Sequence, residues 1–518
     1  MSSIVAATAA ARGGRRRWPS GLGWLLLLAI GLASVGNAWH YTETNANPVI
    51  IFDAWYFADV FVAKQVEGSL TWRDFFAKRD SSDHSQPLHK LWLAANTRWF
   101  GLDFRFDALV AFGGLVLCVL VFVGLGLSAL RARRLTVLDG LALSALPLVM
   151  FSLNSPEIYE WPLVTQYYLA LPFALALFAV AALSRRGRAW PLAIVAFAAL
   201  LVIDSGGLLA LIATALVIAL RESRGGTWAQ AWPALAALVF AVLVYRMTWW
   251  WLMPPVPQAA GMLHGVSALI AEPGTLWKLF AIPATSSWVH WDTLFYWFES
   301  PQRVTRAVAI IGAAVVVLHA CFWVSIWRTL AQHPVAAFAA MLMLYVYGMW
   351  AGVVLSRVPE FGADYLWQHR YIAFFHLANV ALILQWVVAS AARLPAPPGS
   401  RWRWRWQVLI PVPAIAALVW LQWALADRAW YRSPYVLAGI PIIAAEVYCI
   451  GAHPDAQTQA FECSALHPVC DWPQPVRAHA VAALREHRLN VYDPGFIARY
   501  DLDPASVDLN ACLLPPTN

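Results

Sequence analysis

The chain reads as an all-α polytopic membrane protein with about eleven transmembrane helices, and three observations predict that fold class. Of its 518 residues, 60% are apolar and only 13% charged, with a mean hydropathy of +0.58. Soluble globular chains carry about 45–50% apolar and about 25% charged residues, which excludes a water-soluble multidomain enzyme, a disordered chain and a fibrous repeat. Apolar runs of about 20 residues, enough to cross a bilayer, recur along almost the whole length. Arg clusters fall between them in every second loop, which is a topology signal. The net charge of +7 is therefore not a nucleic-acid footprint, and only Lys64, Lys78, Lys90 and Lys278 are lysines.

The expected spans lie near 21–39, 108–130, 135–153, 163–183, 189–203, 208–220, 232–252, 306–327, 335–356, 371–392 and 407–425. Arg12, Arg15, Arg16 and Arg17 precede the first; Arg131, Arg133 and Arg134 follow the second; Arg185, Arg186 and Arg188 follow the fourth. Arg221 and Arg224, Arg328, and the group from Arg393 to Arg405 continue the alternation, whereas 154–162 and 204–207 hold no Lys or Arg. The positive-inside rule then puts the N-terminus in the cytoplasm and the C-terminus outside. The fifth and sixth spans are short and surround Asp204-Ser205-Gly206-Gly207, as in a helical hairpin that stops short of the outer face. The first apolar run is longer than a signal-peptide core, so it reads as an uncleaved anchor.

This organisation gives a cytoplasmic tail at 1–20, a membrane domain at 21–425 with long outer loops at 40–107 and 253–305, and an outer tail at 426–518. Cys118 and Cys321 fall inside spans as packing residues. Cys449, Cys463, Cys470 and Cys512 all fall in the exported tail, where four cysteines suggest two disulfides with three connectivities. The pairing expected is Cys463–Cys470 and Cys449–Cys512. A helix is expected from Val476 to His487, within a small stapled lid or acceptor-docking element. Of the 30 Trp, Trp249-Trp250-Trp251, Trp288, Trp291, Trp297 and those of the Arg-Trp alternation at 401–406 lie at predicted borders, as in an aromatic belt; rings that face an outer cavity could instead stack on sugars.

Ionisable groups inside the spans are few: Arg246, His319 and His376. No span has an Asp or Glu near its middle, which speaks against a proton-coupled transporter. The titratable groups crowd at the outer mouth. In the first outer loop, Asp53 either caps the helix that follows or serves as general base for an acceptor hydroxyl. Farther on, Asp83, His84, His89 and Lys90 form a dense polar group, read as a clamp on substrate or a solvated loop; their spacing matches no zinc template. In the second outer loop, Glu157 and Trp161, followed by Gln166, could bind sugar hydroxyls or cap a helix. Before the tenth span come Gln368, His369, Arg370 and Tyr371. Arg370 suits a phosphate at that depth, because its planar fork binds oxygens bidentately; the alternative is an anchor to lipid headgroups.

Several of these motifs resemble those of the GT-C class of integral-membrane glycosyltransferases. They are Asp83-His84, Glu157/Trp161/Gln166, Ser205-Gly206-Gly207, Arg370-Tyr371 and the tail segment from Trp472-Pro473-Gln474-Pro475 to Val491-Tyr492. The closest likeness is to bacterial multi-pass proteins of that class. The resemblance implies a polyprenyl-phosphate-linked sugar donor, a glycan or lipid-linked acceptor, surrounding membrane lipid, and a catalytic carboxylate in the first outer loop, here Asp53. It implies inverting transfer on the periplasmic face of a bacterial inner membrane. Adjacent acidic residues are common in that loop of the class, whereas Asp53 and Asp59 stand apart, so a divalent cation is an open question and no metal ligand is assigned. A flippase, a polysaccharide polymerase or ligase, and a non-catalytic assembly protein are the competing readings.

Overall fold

A 26-residue helix, α1 (Ser20–Asn45), opens the described chain; at about 1.5 Å per residue it is long enough to cross a bilayer. The computed structural model describes residues 20–79, 84–131, 135–183, 189–225, 228–253, 269, 273–391, 411–456, 461, 472–509 and 512–513, apart from the side chains of 20, 162–166, 230, 411 and 412. Regular structure among these residues is helical, with one isolated bridge between Phe461 and Leu513. After α1 come α2 (Pro87–Phe100), α3 (Phe104–Ala129), α4 (Val137–Met150), α5 (Pro162–Leu183), α6 (Ala189–Ile203), α7 (Ser205–Gly225) and α8 (Trp228–Leu252). Then follow α9 (Leu276–Ser286), α10 (Trp291–Phe298), α11 (Pro301–Thr329), α12 (Pro334–Phe361), α13 (His369–Ala391), α14 (Pro411–Ala452), α15 (Gln474–Glu486) and α16 (Pro494–Arg499).

Eight of these helices are long and apolar enough to span a membrane, and α4, α6 and the apolar part of α5 are shorter apolar helices. Together they account for the eleven expected spans, and the protein is an all-α polytopic membrane protein. Local chemistry sets their ends. Thr136 and Asp139 form a reciprocal capping box at the start of α4, which satisfies N–H groups that have no partner inside the helix. Asp103 caps α3 by accepting from the Arg105 N–H. Small residues then set the packing. A methyl group at Gly140 would overlap the Gly23 backbone, so α1 and α4 cross at a contact that only glycine allows.

Two expectations about the spans change. The last expected span stops at 425, whereas α14 continues without a break to Ala452, through Pro434 and Pro441. Its 42 residues make a rod of about 63 Å, roughly twice the hydrocarbon thickness, and the C-terminal tail therefore begins inside a helix. The sixth expected span, α7, is also longer than expected. It is separated from α6 by Asp204 alone, in the left-handed conformation (φ 54°), and Gly207 lies against the Ala199 backbone as the chain turns back.

The outer half of α14 has a structural role. Ile440, Ile443, Ala444 and Val447 share a buried core with Val49, Ile50, Trp55 and Phe61 of the first outer loop and Val481, Leu484, Val491 and Phe496 of the tail. Asn490 locks this body together. Its Nδ2 donates to the Pro48 carbonyl at 2.9 Å and the Leu102 carbonyl at 2.7 Å, and its Oδ1 accepts from the Ile50 N–H at 3.2 Å. Arg499 and Tyr500 add contacts to Asp103 at 2.5 and 2.9 Å. The tail is thus a wall of this body, not a lid laid over it. Cys449 and Cys512 are joined; Cys463 and Cys470 lie outside the described residues.

Candidate active site

The chain leaves α1 through a buried apolar stretch, Val49-Ile50-Ile51, and turns at Phe52, whose φ is 47°. The Phe52 ring packs on Trp161 of the second outer loop, centroids 4.5 Å apart. Asp53 stands directly before the short helix Ala54–Phe57, but its side chain makes no capping hydrogen bond. Its carboxylate instead takes a 3.0 Å contact from Arg79 Nη1, and about a third of each side chain is exposed. The Arg79 guanidinium lies 5.3 Å from the Tyr56 ring and 6.0 Å from that of Trp472.

Arg370 is in the first turn of α13, the most enclosed of the candidate spans. A central helix brings its first turn to the middle of the outer end. The guanidinium donates to the Tyr365 hydroxyl and lies 5.3 Å from the Tyr371 ring centroid. Tyr167 and the Asp53 carboxylate are near enough to act on it electrostatically. Its Nε is buried with no hydrogen-bond partner among the described residues. A buried cationic donor without an acceptor is costly, and an oxyanion is the group that would satisfy it.

His369 leads to a second cluster. Its Nδ1 lies 2.7 Å from Ser155 Oγ, and its Nε2 is 3.2 Å from Glu157 and 3.5 Å from Asp292. The His290 ring stacks on it at 3.9 Å. Arg432 approaches Glu157 and Glu160 at 3.9 and 3.7 Å, and Tyr41 donates to Glu160 at 2.5 Å. Burial raises the Glu160 carboxyl above its ordinary range, against the opposing pull of Arg432 and the Tyr41 hydrogen bond. Burial likewise lowers the His290 pKa, with the neighbouring His369 adding to the effect. For Asp292 burial works in the opposite direction, yet contacts to His290 and His369 hold it well below the usual carboxylate range. A cavity of about 350 Å³ opens beside this cluster, lined in part by Asp292, Tyr296, Arg428 and Arg432.

The structure thus puts Asp53 within electrostatic reach of Arg370, which lies beside Tyr371, and Glu157 near His369, with Trp161 against Phe52. Gln368 is exposed at the rim. The group in the first outer loop divides instead. His84 Nδ1 meets Ser205 Oγ at 2.7 Å, the Ser85 N–H donates to Asp204 at 3.1 Å, and Lys78 pairs with Asp204. These contacts anchor the loop on the α6–α7 turn. His89 and Lys90, expected to touch substrate, point inward. His89 lies 3.7 Å from the buried Asp107, and the Lys90 ammonium donates to the Asp74 and Ala77 carbonyls at 2.9 and 2.7 Å. Asp83 and the Gln166 side chain lie outside the described residues.

Arg79, His290, Asp292 and Arg432 were not singled out from the sequence. His290-Trp291-Asp292 is a His-x-Asp pattern in a long outer loop, which was an available signal. Nothing local distinguishes Arg432, because its position depends on where a 42-residue helix crosses the membrane border.

No protein-family model matches the chain, and no curated protein matches it. Among solved structures, the chain is similar to one described as the crystal structure of ArnT from Cupriavidus metallidurans bound to undecaprenyl phosphate. The two share 13% identity over 92% of this chain and 78% of the other, with a TM-score of 0.36.

Proposed function

We propose that this protein is a GT-C-like glycosyltransferase. It moves a sugar from a polyprenyl-phosphate donor to a glycan or lipid-linked acceptor on the periplasmic face of a bacterial inner membrane. One observation carries the reading: a carboxylate, Asp53, lies within electrostatic reach of a guanidinium, Arg370, whose buried Nε has no partner among the described residues. The donor phosphate sits against Arg370 with its lipid in the bilayer. Asp53 leaves its Arg79 contact and accepts the proton of the acceptor hydroxyl. The acceptor oxygen bonds to the anomeric carbon as the bond from that carbon to the phosphate oxygen breaks, which inverts the centre. The departing polyprenyl phosphate gains negative charge where Arg370 already stands, so no charge has to be moved into place during the reaction.

The test follows radiolabelled polyprenyl-phosphate sugar with the purified protein in nanodiscs and an envelope extract as acceptor. Wild type should release free polyprenyl phosphate and label the acceptor. Asp53→Asn and Arg370→Lys should each lose about 10²–10³-fold in rate, the usual cost of one preorganised group, while melting like wild type. Full activity in folded Asp53→Asn refutes the base assignment. Passage of intact lipid-linked saccharide across the bilayer without bond cleavage would replace transfer with flipping, and longer glycan chains would replace it with polymerisation.

A further inference from the structure

The transfer step above makes no use of His290 or Asp292. Three separate outer segments converge on them: Glu157 from the second outer loop, His290 and Asp292 from the start of α10, and His369 from the start of α13. We propose that His290, Asp292 and His369 form a binding site for one divalent zinc-class cation, with Glu157 beside His369, independent of the sugar-transfer reading.

The spacing supports tetrahedral binding. With metal–ligand bonds of about 2.0–2.1 Å, the edges of a tetrahedron are roughly 3.3–3.4 Å. Here His290 Nδ1 is 3.3 Å from Asp292, and His369 Nε2 is 3.2 Å from Glu157 and 3.5 Å from Asp292. The ligand atoms of His290, Asp292 and His369 all lie within 4.8 Å of one another.

The second observation is the orientation of the imidazoles. His290 Nε2 is 2.7 Å from the Trp367 carbonyl, so it must carry the proton and leave the Nδ1 lone pair toward Asp292. That lone pair now takes a 3.2 Å contact from the Asp292 N–H, which a cation would displace. His369 Nδ1 is 2.7 Å from Ser155 Oγ, which leaves Nε2 facing the two carboxylates. Outer partners of this kind set tautomer and ring orientation at metal sites. Two imidazole nitrogens with carboxylate oxygens suit zinc, whereas magnesium and calcium favour all-oxygen sets. The cavity beside Asp292 leaves room for water or a substrate oxygen in the fourth position. Without a metal, the same residues form a polar cluster around His369, and the experiment separates the two cases.

The full-length protein is purified in detergent, stripped with chelator and dialysed against zinc with excess magnesium; bound zinc is then counted by mass spectrometry. Wild type should hold about one zinc per chain, His290→Ala and His369→Ala essentially none, and His453→Ala the wild-type amount. Ser155→Ala should bind about 10–100-fold more weakly, as expected on loss of an outer partner. Cobalt added to the stripped wild type should give the intense visible bands of a tetrahedral complex, a readout that needs no variant to fold. A wild type that takes up no zinc and shows no cobalt bands overturns the proposal. So does zinc retained in the His290→Ala/His369→Ala double variant, which would place the ion elsewhere.

Discussion

Asn490 offers the sharpest test of how the outer body holds the site. Its side chain is fully buried and makes three hydrogen bonds, to Ile50, Pro48 and Leu102. Asn490→Ala leaves the Ile50 N–H and the Leu102 carbonyl without that partner, while the Pro48 carbonyl keeps the Phe104 N–H at 3.2 Å. Each of these two orphaned buried groups costs about 1–3 kcal/mol, and water entering the vacated space recovers part of that, so about 3 kcal/mol is a central figure. The backbone adds to the cost, because φ is 51° at this position and Asn tolerates the left-handed region better than Ala. At 1.4 kcal/mol per factor of ten, the population with the tail detached rises roughly 100-fold. Limited proteolysis reads that population when cleavage is slow relative to reclosing. The tail of Asn490→Ala should therefore be cut about 100 times faster than that of wild type, and transfer should fall because Asp53 follows Ile50 in the same segment. Asn490→Gly, which relieves the backbone but not the hydrogen bonds, should behave nearly as badly. Cleavage within twofold of wild type in both variants would refute the argument that Asn490 locks the tail to the loop.

Gly140→Ala should separate α1 from α4 and cost about 1–3 kcal/mol, the usual range for overpacking, seen as a lower melting temperature; Gly113→Ala, with open space around it, should melt like wild type. Cys449→Ser should weaken the tail, since the disulfide spans a sequence separation of 63; a loop of that length is worth up to about 4 kcal/mol in the chain-entropy account, readable as faster proteolysis at 453–509. His479 contacts Asp59 at 2.6 Å and Glu67 at 3.4 Å, and hydrogen bonding to Asp59 raises its pKa above the ordinary 6.5 despite some burial. The contact therefore stabilises the tail fully below about pH 6.5 and is lost as pH rises through the higher folded-state value. Half-exposure of the imidazole keeps the effect under about 1 kcal/mol. Proteolysis of the tail should accelerate modestly above that pH in wild type and lose the dependence in His479→Gln.

The eleven apolar helices and the boundaries between most of them were legible in the sequence because the bilayer imposes a one-dimensional rule: a run of given length and hydropathy must cross. That Asp53 and Arg370 stand at predicted borders was legible for a related reason, since apolar spans exclude charge and leave such groups at their ends. The role of the tail was not legible. Asn490 holds Pro48 and Ile50 across more than 400 positions, and no local pattern encodes a partner so distant. His89 and Lys90 show the converse limit. Their density suggested chemistry, but one turn of α2 decides whether an imidazole and an ammonium face a substrate or a backbone carbonyl. The meeting of Glu157, His290, Asp292 and His369 likewise depended on three loops being brought to one end of the bundle by the central placement of α13. Hydropathy along the chain thus determined how many times it crosses and which groups stay at the rim; only packing between distant segments decided which of those groups stand side by side, because contact energies act in space and not along the sequence.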